Sequence, residues 1–308
     1  LTATTQYSCY GLRVDSEFAL PDLGRPGPDG AAPDVVVRRG ALTPPDPTLL
    51  MAHGLWRVGD VCGFDIEDVG RFEARGGTEI VVDPRPGADE SAIRLYVLGT
   101  AMGATMMLRG TLVLHGNSFR VGDGAAVVVG HSGSGKSTLA AEFDRRGYDV
   151  LSDDVVPVDA DGRALPGYPR IKLWTDAVDR IGQDPATLER VHARVDKFHV
   201  PLRRGDLGPL PLRWVYVLES HGGPELTLEP ASGAIAFALL HEHTYRNELL
   251  VGPAAGEHLQ QCAALLGRTR LRRVVRPAET MTAEATADAI LADIARDPAS
   301  TGSPEESA

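Results

Sequence analysis

The chain has 308 residues, 43% hydrophobic and 24% charged, a globular balance that excludes wholesale disorder and leaves room for about two domains. Its 31 Lys and Arg against 42 Asp and Glu give a net charge of −11, which disfavours generic nucleic-acid binding because phosphate neutralisation needs clustered cations. Cys9, Cys62 and Cys262 lie far apart with no Cys-x-x-Cys pair, so neither a zinc ribbon nor a secreted disulfide framework is expected.

Residues 1–88 read as a small β-rich N-terminal domain. Asp34–Arg38, Leu55–Val58 and Glu79–Asp83 are short β-branched runs bounded by Gly and Pro, and Pro21, Pro26, Pro28, Pro33 and Pro44 to Pro47 punctuate the start. No catalytic constellation is visible there. Residues 89–296 read as a second, catalytic domain of α/β class. Leu95, Leu98, Met102 and Met106 recur at helical spacing, which predicts a helix from Ser91 to Arg109 stopped by Gly110, its methionines in the core. Thr111–His115 predicts a strand ending at His115-Gly116. Ala125–Val129 is an unbroken apolar run, the pattern of a strand buried on both faces. A helix over Lys136–Arg146 and a strand over Tyr148–Leu151 complete a βαβ unit. Arg213–Leu218 predicts another strand. Helices are expected over Ala231–Leu240, Glu257–Leu266 and Ala283–Ala295, and a disordered tail over 297–308. No leader pattern opens the sequence. The longest apolar stretch, Leu95 to Leu108, is interrupted by Gly99, Thr100, Gly103 and Thr105 and reads as too short to span a bilayer. A cytoplasmic protein with no membrane or nucleic-acid partner is the expectation.

One motif carries most of the chemistry. Gly130-His-Ser-Gly-Ser-Gly135-Lys136-Ser137-Thr138 matches G-x-x-x-x-G-K-[ST] in full, between an apolar strand and a helix as a P-loop requires. Gly130, Ser132, Gly133, Ser134, Gly135, Lys136, Ser137 and Thr138 are therefore the expected nucleotide-binding residues. The glycines let backbone N–H groups turn inward, and the helix N-terminus adds partial positive charge. Lys136 can reach the β- and γ-phosphates of ATP, and the Ser137 hydroxyl can ligate Mg²⁺. Asp153-Asp154 follows sixteen residues after Ser137, at the expected end of the next strand, where open α/β sheets bind ligands. One carboxylate can hold the metal and the other accept a proton. His115 is expected at the same rim, where a structural role and a functional one both remain open.

The string from Leu114 to Val156 resembles the catalytic domain of HPr kinase/phosphorylase. That family combines a His-containing strand end (Leu114-His115-Gly116), a P-loop of the form G-x-S-G-x-G-K-S and a strand carrying Asp-Asp-x-Val (Asp153 to Val156). The resemblance implies a P-loop kinase domain of the HPr kinase/phosphoenolpyruvate carboxykinase type. It implies transfer of the ATP γ-phosphoryl group to a protein serine, with Asp153 as base, Asp154 on the metal and His115 in support. It also implies a homo-oligomer. Gly167-Tyr-Pro-Arg-Ile-Lys-Leu-Trp174 stands where the bifunctional enzymes carry Glu-Ile-Arg-Gly-x-Gly, which argues against phosphorolysis and against HPr as acceptor. The N-terminal region, with Tyr10-Gly-Leu-Arg13 and Leu20-Pro21, is similar instead to a divergent group, some of whose members phosphorylate a serine on ribosomally made precursors, including lasso peptides.

Lys197, in a Lys-x-x-x-Pro-Leu string shared with that group, and Arg246 are further candidates for neutralising transferred charge. Arg268, Arg270, Arg272, Arg273 and Arg276 form one basic cluster, either a solvated face or a dock for an acidic peptide. His241-Glu242-His243 invites a metal, but two His at i and i+2 share a face only in a strand, and this stretch reads as helix. Two other functions remain open: a kinase of a small alcohol or free serine, and a nucleotide-gated regulatory protein with little catalysis.

Overall fold

The computed structural model describes residues 4–24, 30–168, 170–180, 183–192, 195–202, 207–221, 225–277 and 282–297. Seven strands come from the first part of the chain: β1 (Thr5–Cys9), β2 (Leu12–Ser16), β3 (Val35–Arg39), β4 (Leu55–Val58), β5 (Val61–Ile66), β6 (Gly70–Arg75) and β7 (Glu79–Pro84). They form one mixed sheet in the order β1-β2-β3-β7-β6-β5-β4. Alternation decides its faces. Along β6, Phe72 and Ala74 are buried while Arg71, Glu73 and Arg75 are only partly so, and Phe72 stacks on Phe64 of β5 at 4.7 Å.

Helices α1 (Glu90–Tyr96) and α2 (Met102–Leu108) are joined by one π turn, Val97–Ala101, into a continuous helix capped by Asp89, which accepts from Ser91 N. Ile93, Leu98, Met102 and Met106 bury its inner side in the core of the first sheet. Its 19 residues, Glu90–Leu108, are long and apolar enough to cross a membrane by length and composition alone, which corrects the shorter stretch read from the sequence. Here 67% of its most apolar 18-residue stretch is buried inside the protein, the behaviour of a core helix.

The second sheet is built from β8 (Leu112–Val121), β9 (Gly124–Gly130), β10 (Val150–Val158), β11 (Arg163–Ala164), β15 (Leu210–His221), β16 (Thr227–Ala231) and β17 (Arg270–Pro277), in the order β11-β10-β8-β9-β15-β17-β16. Helix α3 (Lys136–Arg145) follows β9. A separate ribbon of β12 (Arg170–Trp174), β13 (Glu189–His192) and β14 (Val195–Pro201), with α4 (Thr175–Arg180), lies between β11 and β15 in the chain. Helices α5 (Gly233–Glu242), α6 (Pro253–Leu266) and α7 (Ala283–Ala295) complete the fold. Every residue of β9 is buried, as its apolar run requires. Leu139 and Phe143 of α3, Ile290 of α7 and Phe198 of the ribbon cover one face. Leu240 of α5 and Cys262 and Leu265 of α6 cover the other. The three cysteines are buried and free.

Three local expectations are corrected. His115-Gly116 does not end a strand, because β8 continues to Val121 and turns back through Gly122-Asp123 into β9 as a hairpin. Asp153-Asp154 lies inside β10 rather than at its end. The βαβ unit forms with its strands β9 and β10 parallel and β8 inserted antiparallel between them. Helix α6 starts at Pro253, earlier than expected, with proline at the first helical position where its missing N–H costs nothing. Asp297 is buried and accepts from Trp214 Nε1 at 2.8 Å, while the rest of the expected tail lies outside the described residues.

Gly116 looks like a strand terminator in the sequence but serves a close approach. A Cβ there would stand 2.3 Å from the Val128 carbonyl oxygen on β9. Gly116→Ala is expected to destabilise the protein by about 1–3 kcal/mol, the usual cost of overpacking. A lower urea midpoint with an unchanged slope is the measurement that checks it.

Candidate active site

The loop from Gly130 to Lys136 joins the central strand to α3. Gly133 and Gly135 carry φ of 81° and 85°, a left-handed conformation that glycine adopts without strain. Lys136 curls back over the loop, its Nζ donating to the carbonyls of Gly130 at 2.6 Å and His131 at 3.0 Å. Burial lowers its proton affinity. Arg276, at the end of β17, donates to the Ser134 carbonyl from the other side. Asn117 Nδ2 donates to the Lys136 carbonyl at 2.6 Å and ties α3 to β8.

The two aspartates stand beside this loop. A regular strand sends consecutive side chains to opposite faces, yet both carboxylates line the same cleft. Asp154 has φ of 72°, a left-handed conformation costly for a non-glycine, and this kink marks the departure. Asp153 accepts from Ser137 Oγ at 3.2 Å and from the Lys172 backbone N–H at 3.1 Å. Asp154 pairs with Lys172 Nζ at 3.0 Å, and His115 Nδ1 lies 3.3 Å from its Oδ1.

These surroundings push the two carboxyls apart. Burial and the Asp154 charge raise Asp153 from 3.8 to about 6. Burial would also raise Asp154, but Lys172 and His115 overrule it and hold it well below the usual carboxylate range. Burial would lower Lys172, and the Asp154 charge reverses that and keeps it firmly protonated. Burial lowers His115 despite Asp154.

The cleft has a volume of about 750 Å³ and is lined by His115, Ser132, Gly133, Gly135, Lys136, Ser137, Thr138, Asp153, Asp154 and Lys197, ten of the residues expected from the sequence. Gly130 and Ser134 contribute carbonyls to Lys136 and Arg276 instead. Arg246 is not in the cleft. Its Nη2 donates to Thr100 Oγ1 at 3.2 Å and its guanidinium lies 5.5 Å from the Tyr245 ring. Lys197 stands over the Trp174 ring at 4.7 Å. Ser137 contacts Asp153, whereas Asp154, expected beside it on a metal, is held by Lys172 and His115.

Sequence reasoning missed Lys172, Asn117 and the role of Arg276. Asn117 has a local signal, since it follows His115 by two along a strand and so shares its side. Lys172 has none, because the ribbon reaches the site only through tertiary packing. Most of the basic cluster is spent on ion pairs: Arg270 with Asp297, Arg272 with Asp293, and Arg273 with Glu219 and Glu229. These arginines do not form an open dock for an acidic peptide.

No protein-family model matches the chain, and no curated protein matches it either. Among solved structures it is similar to the Hpr(Ser) kinase/phosphatase from Coxiella burnetii, with 13% identity over 59% of this chain and 89% of that chain and a TM-score of 0.26. At that level of likeness the functional reading rests on the geometry of the site itself.

Asp153 also has a consequence for stability. Its folded-state proton affinity exceeds the unfolded one, so its cost is absent below about pH 3.8, grows as pH rises, and is complete above about pH 6. Asp153→Asn is expected to stabilise the protein by about 1–3 kcal/mol at pH 7.5 and to lose that gain near pH 4. Paired thermal or urea midpoints at the two pH values check this.

Proposed function

We propose that the chain is an ATP-dependent kinase that transfers the γ-phosphoryl group to the serine hydroxyl of a peptide or protein, with a ribosomally made precursor of the lasso type as the favoured acceptor. The observation that carries the reading is the convergence of a left-handed glycine loop, Lys136, Ser137 and two unlike carboxylates in one cleft. Phosphoryl transfer needs positioning, positive charge and a base, and little else from the protein.

With Asp153 as base, the Ser137 hydroxyl and the Asp154 carboxylate of the same cleft are the hard oxygen donors that would hold Mg²⁺. Bound there, Mg²⁺ would neutralise charge on the β- and γ-phosphates. Lys136 leaves the Gly130 and His131 carbonyls to meet the same phosphates. The loop N–H groups and the start of α3 cradle them. Lys197 and Arg276 add positive charge along the rim. Asp153, with a proton affinity near neutrality, accepts the proton of the acceptor hydroxyl. Lys172 keeps Asp154 ionised, and that fixed charge in turn sustains the basicity of Asp153. His115 holds the Asp154 backbone and carboxylate in place.

A second assignment is favoured by the Ser137–Asp153 contact: Asp153 serves the metal and the His115–Asp154 side serves the acceptor. The two differ in what Asp153→Asn does. As base, Asp153 gives a kcat/KM that rises through about pH 6, and the variant loses this limb and roughly 10²–10⁴-fold in rate at unchanged Mg²⁺ requirement. On the metal, the variant raises the Mg²⁺ requirement instead. The assay is Mg-ATP turnover with intact-mass detection on a serine-ended precursor peptide, on HPr and on free serine. One phosphoryl increment on the peptide supports the proposal. Transfer to free serine alone would make it a small-molecule kinase, and ATP binding with no transfer would make it a nucleotide-gated regulator.

A further inference from the structure

A second polar cluster sits on the other side of the glycine loop. His131, the residue after Gly130, points its Nε2 to within 3.1 Å of Glu242 Oε1 at the end of α5. The His243 ring lies 5.2 Å from the His131 ring, edge to face. One ligand atom from each of the three falls within 4.8 Å of the other two. The sequence points to His241, Glu242 and His243 as a metal set, and helical geometry defeats it. Folding replaces His241, which turns toward His258, with His131 from a distant loop.

We propose that His131, Glu242 and His243 bind a zinc-class divalent cation, and that the bound metal fixes the Lys136 clasp on the glycine loop and so opposes nucleotide entry. Two imidazoles and a carboxylate suit zinc and its neighbours in the first transition series, and three protein ligands leave a fourth position for water. Mg²⁺ prefers all-oxygen sets, so this site and the hydroxyl and carboxylate donors of the nucleotide cleft differ in chemistry. Tetrahedral zinc with bonds of about 2.0–2.1 Å needs donors roughly 3.3 Å apart, so the widest spacing closes by at most about 1.5 Å. Rotation of the exposed His131 ring, 72% accessible, supplies that movement. A solvent-open cavity of about 580 Å³ against His131, Glu242 and His243 is the entry path. The link to the loop is direct, because the His131 carbonyl is one of the two that hold Lys136. A metal that fixes His131 to α5 fixes that carbonyl, and Lys136 with it. The gating half rests on the nucleotide-site reading above.

The full-length chain is titrated with Co²⁺ and with Zn²⁺, and bound metal is counted after gel filtration. One equivalent is expected, with a tetrahedral Co²⁺ visible band lacking thiolate charge transfer, since Cys9, Cys62 and Cys262 are buried. His131→Ala, a surface change, and Glu242→Gln should each weaken binding at least about tenfold, the scale on which even outer-shell partners act. Failure of wild type to retain metal, or equal retention by both variants, overturns the site. The gate is read as fluorescent-nucleotide affinity with and without Zn²⁺, beside Glu242→Gln to correct for zinc held by the nucleotide. Weaker nucleotide binding in wild type alone supports it, and an equal response in the variant overturns it. No nucleotide binding in either condition overturns the gate together with the kinase reading, while the metal count still decides the site.

Discussion

Two carboxylates adjacent in sequence share a buried space, and the surroundings of the cleft answer that repulsion. Unpaired, such neighbours cannot both stay ionised. Lys172 settles the matter by ion pairing with Asp154 and donating its backbone N–H to Asp153. Asp154 keeps its charge, Asp153 surrenders some acidity, and chemically identical side chains become different reagents. Removing Lys172 would leave a buried charge uncompensated, the situation in which a broken pair is most destabilising.

That dependence reaches beyond the second sheet. Lys172 is carried by β12, and the same strand carries Arg170, which pairs with Asp22 from the first part of the chain. Asp22 is 1% exposed in its side chain and also meets Arg94 of α1 at 3.3 Å, while Arg94 reaches Glu189 of β13 at 2.6 Å. Tyr10, at the tip of the β1–β2 hairpin, donates to the Val155 carbonyl just past the aspartates. The first part of the chain and the apolar helix therefore brace the ribbon that lines the site. The region that shows no catalytic pattern of its own is what holds the strand bearing the lysine.

The legible parts of this protein were those with local causes. The all-apolar β9, the glycine loop and α3 follow from composition and spacing within a few residues, and the structure places them as expected. The strand ends expected at His115 and Asp154 are not ends, because Gly116 and a paired aspartate both imitate turn signals. Gly116 is instead a contact point between backbones, and the kink at Asp154 is sustained by partners eighteen and more residues away. Lys172, and the hold of Arg276 on the glycine loop, have no signal in the sequence. Each reaches the cleft through pairing of β12 with β14 or of β17 with β15, and neither pairing leaves a periodic trace. Arg246 shows the converse: a residue in a suggestive string whose local backbone turns it toward Thr100.

The Lys136 clasp on the Gly130 and His131 carbonyls has a consequence for binding kinetics. Lys136 and, from the other side, Arg276 brace the loop before any phosphate arrives, which lowers the ordering cost left to binding. A phosphate group then exchanges partners with the lysine rather than folding a floppy segment around itself. The entropic toll of assembling the cradle falls on protein folding, not on each encounter. Capture then waits on release of the lysine, so the strength of the clasp sets the pace of association as well as the shape of the cradle.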